Sequence, residues 1–268
     1  MGVQNYKDSI MNLTYSAKDI RDLANIFSKK YPGCILDTLI DKRATKENIL
    51  KLKNKLLKTN VDDKVIISLS GHGLLSDSLD FYYATYDIDF RHPENHGLLY
   101  DELESLLDSI PARNKLLLLD ACHSGEVDKE ESKLVADAGT QAADAGVAKG
   151  VRALKPRGVK VVSTKNSIGL QNSFELMQQL FTDLSKGSGA VVISAAGGKE
   201  YAFEADKWNN GVFTYSVLKC FEEKGITSEG IKVSELKDYV IEKVSSLTNG
   251  QQKPTSRKEN LVNDFRVW

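Results

Sequence analysis

His72 and Cys122 are the residues of this chain best suited to do chemistry. They stand fifty positions apart, inside Ser70-Gly71-His72-Gly73 and Asp120-Ala121-Cys122-His123-Ser124-Gly125. A thiol is a weak nucleophile until it loses its proton, and a nearby imidazole promotes that loss. The thiolate can then attack a carbonyl carbon, while the protonated imidazole supplies the proton that a leaving amine needs. Backbone N–H groups in a glycine-rich loop can hold the charge that develops on oxygen, and Gly71 and Gly73 allow close backbone approach around His72. Peptide hydrolysis by a cysteine nucleophile is the reaction that suits such a pair.

Each residue alone has a plainer reading: His72 as a turn histidine at a strand end, Cys122 as a buried apolar thiol. The elements that must position them favour the chemical reading. Val65-Ile66-Ile67-Ser68-Leu69 precedes the histidine and Leu116-Leu117-Leu118-Leu119 precedes the cysteine, and each run reads as a buried strand. Open α/β sheets place their ligand crevices at the carboxyl ends of such strands. His123 is a poorer base, because adjacent strand residues point to opposite faces. Cys34 and Cys220 sit on apolar segments and read as core.

Strand-like and helix-like segments alternate along the chain, which points to α/β architecture with a mainly parallel sheet. Ala17 to Lys29 carries Ile20, Leu23, Ala24 and Phe27 at helical spacing, and Gly33-Cys34-Ile35-Leu36 follows as a short strand. Thr45 can cap a helix running through Leu57. Tyr100 to Ile110 reads as a helix stopped by Pro111. Residues 126–172 change character: 135–150 is rich in Ala, Gly and Asp, and 149–160 holds Lys149, Arg152, Lys155, Arg157 and Lys160. That segment reads as a flexible linker or insertion. A helix capped by Ser173, a strand over Ala190–Ser194, and helices over Val212–Glu223 and Ser234–Ser246 follow. Phe265, Val267 and Trp268 could dock on the body. Met1–Tyr6 reads as the end of a first strand and its loop without the apolar residues that should precede it. One piece of a longer chain is expected, the alternative being a short edge strand.

The 268 residues carry 41% hydrophobic and 27% charged side chains with a net charge of −1, ordinary for a globular protein. No basic excess exists to displace counterions from phosphates, so nucleic acid is not an expected partner. No apolar run approaches the roughly 18 residues of a membrane span, and no signal peptide opens the chain. Three widely spaced cysteines fit a reducing compartment, so the expected location is cytoplasmic.

The two motifs together resemble those of the caspase-like peptidases, and most of all their bacterial orthocaspase and metacaspase branch. The spacing matches the histidine about 50 residues upstream of the cysteine. Tyr15–Ile20 resembles the start of the family's first helix, and Gly211-Val212-Phe213-Thr214-Tyr215 the start of a helix in its small-subunit-like half. The resemblance implies a caspase-like (caspase-haemoglobinase) α/β fold, a mainly parallel central sheet with helices on both faces. It implies one structural domain, with a large-subunit-like catalytic half (1–125), a basic linker (126–172) and a small-subunit-like half (173–268). It also implies that Cys122 is the nucleophile, that His72 is the general acid and base, and that the N–H groups of Gly73 and Cys122 form the oxyanion hole.

Aspartate-directed caspases carry Gln two residues before the cysteine, where this chain has Asp120. In metacaspase-like members the corresponding aspartate helps bind an arginine or lysine side chain, with a serine two before the histidine and an aspartate on the first helix. Ser70 and Asp19 resemble those positions. A carboxylate pair in a partly dry pocket favours a guanidinium and rejects an acidic side chain. The expected substrates are therefore proteins and peptides cut after Arg, then Lys. The plainer alternative makes Asp120 a turn cap and Asp19 a solvated helix-start charge. Lys149, Arg152, Lys155 and Arg157 are candidate self-cleavage sites, since proteolysis is easiest in flexible segments.

No cofactor is expected. Calcium serves many metacaspases, but Asp77, Asp80, Asp87 and Asp89 lack the EF-hand pattern, because Arg91 would fall at the third ligand position. A monomer is expected, compatible with a regulatory domain fused upstream. Two other readings stay open: a non-peptidase acyl hydrolase or transferase using the same dyad, and an inactive signalling scaffold on this fold.

Overall fold

Both apolar runs form the centre of a six-stranded sheet in a computed structural model of the chain, which describes residues 1–76, 80–124, 155–156, 189–195, 202–225, 230–258 and 264–268. The strands are β1 (Lys64–Leu75), β2 (Phe81–Tyr83), β3 (Leu98–Leu99), β4 (Asn114–Ser124), β6 (Val191–Ser194) and β9 (Thr255–Lys258), in the order β3-β2-β1-β4-β6-β9. The central trio β1, β4 and β6 is parallel, as expected, while β2, β3 and β9 make antiparallel edges. Strands β5 (Lys155–Pro156), β7 (Phe203–Ala205) and β8 (Asn210–Gly211) form a second, antiparallel sheet.

Continuous apolar runs suit strands buried on both faces, and here alternate residues feed two cores. Val65, Ile67, Leu69, Leu117 and Leu119 enter one, with Ile49, Leu103 and Leu107. Leu116 and Leu118 enter the other. That second core is closed by α1 (Ser16–Lys30) through Ile20, Leu23 and Phe27, and by two C-terminal helices. Those helices are α5 (Val212–Lys224), which contributes Phe213, Val217 and Phe221, and α6 (Val233–Leu247), which contributes Leu236, Val240 and Val244. The first core is covered by the shorter α2 (Lys46–Leu50), α3 (Lys53–Leu56) and α4 (Tyr100–Ser105). Helices therefore flank the sheet on both faces.

Several elements differ from expectation. Thr45 caps its helix through an N–H from Asn48 (3.3 Å), but the helix breaks into α2 and α3, because the Leu52 N–H bonds three residues back, to Ile49. Helix α4 stops five residues early: the Leu107 N–H also bonds three back, to Glu104, and Ser109 takes φ 54. No strand forms over 33–36. Sheet pairing on this side begins only at Leu39, whose carbonyl accepts the Gly2 N–H (2.9 Å). Gly2 bridges both Ile40 and Ser70 in parallel, so residue 2 is paired on two sides and is not an edge. Strand β9, Thr-Ser-Arg-Lys, escaped notice because edge strands are polar. The tail docks as expected: Val267 is buried and Trp268 stacks on Phe221 at 4.7 Å. The helix expected from Ser173 lies outside the described residues, as do Lys149, Arg152 and Arg157. Lys155 pairs with Glu204 as part of β5, a strand where linker was expected.

Cys34 is exposed, which corrects its assignment to the core, because Gly33 (φ 92) turns the chain outward and leaves Ile35 87% exposed. Cys220 is buried, and burial pushes its thiol up to about 12. Only the thiolate reacts with disulfide reagents. In a Cys122→Ala variant, titration with an aromatic disulfide at pH 8 should therefore detect Cys34 alone in the folded protein, and Cys220 as well once urea unfolds it.

Candidate active site

Strands β1 and β4 run side by side from Lys64 opposite Asn114 to Leu74 opposite Ser124, and this register sets His72 directly beside Cys122. Neighbouring strands lie about 4.8 Å apart, so the two backbones are as close as two strands allow. The same register sets Ser70 beside Asp120 and Gly73 beside His123.

The imidazole is held from several directions. Its Nε2 lies 2.9 Å from the Met11 carbonyl oxygen. A carbonyl only accepts, so Nε2 carries the hydrogen, and in the neutral ring Nδ1 is the basic nitrogen. The ring packs against Tyr6 at 5.2 Å and edge-on against Phe90 at 6.0 Å, and it is 4% exposed. The His72 backbone N–H donates to Tyr6 Oη (2.9 Å), and the His72 carbonyl accepts from the Ala84 N–H (2.9 Å).

The glycine before the histidine has a steric reason. A Cβ at Gly71 would stand 2.9 Å from Tyr6 Oη and 3.2 Å from Tyr83 Oη. Both hydroxyls are committed, Tyr6 to the His72 N–H and Tyr83 to the Ser70 carbonyl (3.0 Å). Gly71→Ala should therefore cost about 1–3 kcal/mol of stability, read by urea unfolding. Activity should fall beyond the loss of folded protein, because the displaced tyrosine is the one that holds His72.

Three buried acceptors and donors converge beside the pair. Ser70 Oγ donates to Asp19 Oδ2 at 2.7 Å. The other oxygen of Asp19, Oδ1, accepts from Asn210 Nδ2 and from the Gly211 N–H, each at 3.0 Å. Asp120 Oδ2 accepts from the Thr214 N–H (3.1 Å) and from Thr214 Oγ1 (2.6 Å). Asp19 and Ser70 are 0% exposed and Asp120 is 1% exposed. The solvated-charge alternative for Asp19 is thereby overturned. Asp120 does cap an element, though it is a helix and not a turn. Gly211, the N-cap of α5, has no side chain to bond the third helical N–H, that of Thr214. A carboxylate from β4 does so instead, where the helix dipole favours negative charge.

Sequence reasoning missed Met11, Tyr6, Asn210 and Thr214. Met11 acts through its carbonyl, which carries no residue-type signal. Thr214 lay inside a segment already singled out, but nothing local ties it to Asp120, ninety-four positions away. Of the acidic loop, Asp87 lies 3.7 Å from His96 and Asp89 accepts the Arg91 N–H (2.9 Å), while Asp77 lies outside the described residues. Among the described residues no three His, Cys, Asp or Glu side chains gather as a metal site, and no helix is long and apolar enough to cross a membrane.

Comparison with known proteins agrees with this architecture. No curated protein matches the chain. The crystal structure of protein GSU0716 from Geobacter sulfurreducens superposes with a TM-score of 0.65 at 19% identity, covering 99% of this chain and 95% of that one. That likeness is one of fold. The family model described as the caspase domain matches residues 1–266. The chain belongs to the caspase-domain family. In this caspase domain the mixed sheet with its parallel central strands and two-sided helical cover is consistent with the caspase-like α/β fold, and membership supports a cysteine-peptidase-like function.

Proposed function

We propose that this caspase domain is a cysteine endopeptidase of the orthocaspase or metacaspase type that cleaves after Arg, then Lys. The observation that carries the reading is the direct pairing of His72 with Cys122 at the carboxyl ends of two parallel strands, with Met11 holding the histidine tautomer that leaves Nδ1 as base. His72 takes the Cys122 proton, and the thiolate attacks the peptide carbonyl carbon to form a C–S bond. The N–H groups of Gly73 and Cys122 hold the resulting oxyanion. The imidazolium passes its proton to the amine as the C–N bond breaks, leaving a thioester. Water, deprotonated by His72, then displaces the thiolate and releases the carboxyl product.

Basic specificity is supported by the burial of two carboxylates, Asp19 and Asp120, with Ser70, beside the His72–Cys122 pair. A guanidinium bonds such carboxylates through charge-assisted hydrogen bonds, and an acidic side chain is repelled by them. Fluorogenic peptides ending in Arg, Lys or Asp test this, with Cys122→Ala as control. The Arg peptide should be cut fastest, and preference for Asp overturns the assignment. Self-processing at Lys149, Arg152, Lys155 or Arg157 is tested by intact-mass spectra of wild type beside Cys122→Ala. Equal intactness argues against it. At Lys155 the paired β5 strand would first have to open.

A further inference from the structure

We propose that Thr214 and Asn210 are positioning residues for substrate selection, through which the C-terminal half orients the two carboxylates contributed by the N-terminal half; this rests on the basic-specificity reading above. Asp120 and Asp19 come from different elements, β4 and α1, and neither element by itself fixes how a carboxylate turns about its terminal bond, since that torsion has broad wells. Thr214 removes the freedom at Asp120. Its N–H and its hydroxyl both donate to the same oxygen, Oδ2, so the carboxylate plane is set against the first turn of α5 and the two oxygens cannot exchange places without breaking two bonds. The 2.6 Å hydroxyl bond has the short length of a charge-assisted one.

Asn210 does the corresponding work at Asp19. Its Nδ2 donates to Asp19 Oδ1 (3.0 Å) and to Asp22 Oδ2 (2.9 Å), holding together two carboxylates one turn apart on α1 that would otherwise repel. Lys18 balances the outer member of that pair at 2.5 Å. Asn209, with φ 55, turns the chain so that Asn210 enters β8 facing α1. Thr214 is 1% exposed and Asn210 5%. A buried hydroxyl or amide is costly unless it is bonded, and here both spend those bonds on the candidate specificity carboxylates.

The test is a set of steady-state measurements on the full chain with Arg peptides and with otherwise identical peptides carrying an uncharged norleucine. Thr214→Val keeps the shape and the backbone N–H but deletes the hydroxyl. It should raise KM for the Arg peptide about tenfold or more, leave kcat within about threefold, and leave the norleucine peptide unchanged. Thr214→Ser, which restores the hydroxyl, should recover most of the loss. Asn210→Ser reads the same ratio from the Asp19 side, so that poor folding of one variant leaves the other to decide. If wild type prefers Arg but both variants keep the wild-type Arg-to-norleucine ratio, the positioning roles are wrong and the specificity reading stands. If wild type does not prefer Arg over norleucine, the specificity reading fails and takes this proposal with it.

Discussion

Cys122→Ala is expected to abolish peptide cleavage, lowering kcat/KM by about four orders of magnitude or more, and His72→Ala should do nearly the same. When nucleophile and base act as a unit, loss of either leaves only the residual catalysis of substrate binding and the oxyanion hole. The double variant should therefore be little worse than either single one. The measurement is hydrolysis of the Arg peptide with active-site titration by an electrophile carrying an Arg-like group. Additive losses would mean that the two residues do not share a step. His72→Ala also empties a packed position against Tyr6 and Phe90, so its melting temperature should be recorded beside its rate. His72→Gln fills more of that space and separates loss of the base from loss of packing.

The second large effect is expected at Asp120. Asp120→Asn keeps an oxygen that can accept from the Thr214 N–H and hydroxyl, so the cap on α5 should survive and stability should change little. What disappears is the charge. Losing one side of a buried charge pair costs about 2–5 kcal/mol, roughly thirtyfold to a few thousandfold in kcat/KM for an Arg peptide, with much less change for an uncharged one. Asp120→Ala removes the cap as well and should add about 1 kcal/mol of destabilisation, read by denaturant unfolding. Equal losses for charged and uncharged peptides with Asp120→Asn would show that the residue serves the fold and not the choice of substrate.

Much of this was legible because the signals were local. Two apolar runs, one ending at the glycine-flanked His72 and the other at Cys122, declared both strands, and α1 announced itself through Ile20, Leu23, Ala24 and Phe27 at helical spacing. The misreadings arose where pairing decided the outcome. Ile35 and Leu36 have strand-like side chains, but among the described residues no strand pairs with them, and they stay exposed. Thr255–Lys258 has a polar face and pairs with β6 all the same. Within the site, Asp19, Ser70 and Asp120 were found by resemblance. Their donors were not, because a hydrogen bond from Asn210 to Asp19 spans 191 positions and leaves no periodic trace.

The uninterrupted ladder between β1 and β4 acts as a ruler. Because His72 and Cys122 are read off the same rung, the separation of their backbones is graduated in whole residues. Inserting or deleting one residue anywhere between Lys64 and His72 would move the histidine one notch, opposite Ala121 or His123, and no side-chain adjustment could restore the match. Segments outside the two strands can vary in length without touching that graduation, whereas the two strands can change composition but not count. The pairing of these two residues is thus indexed to the backbone, while the side chains around them can change without moving it.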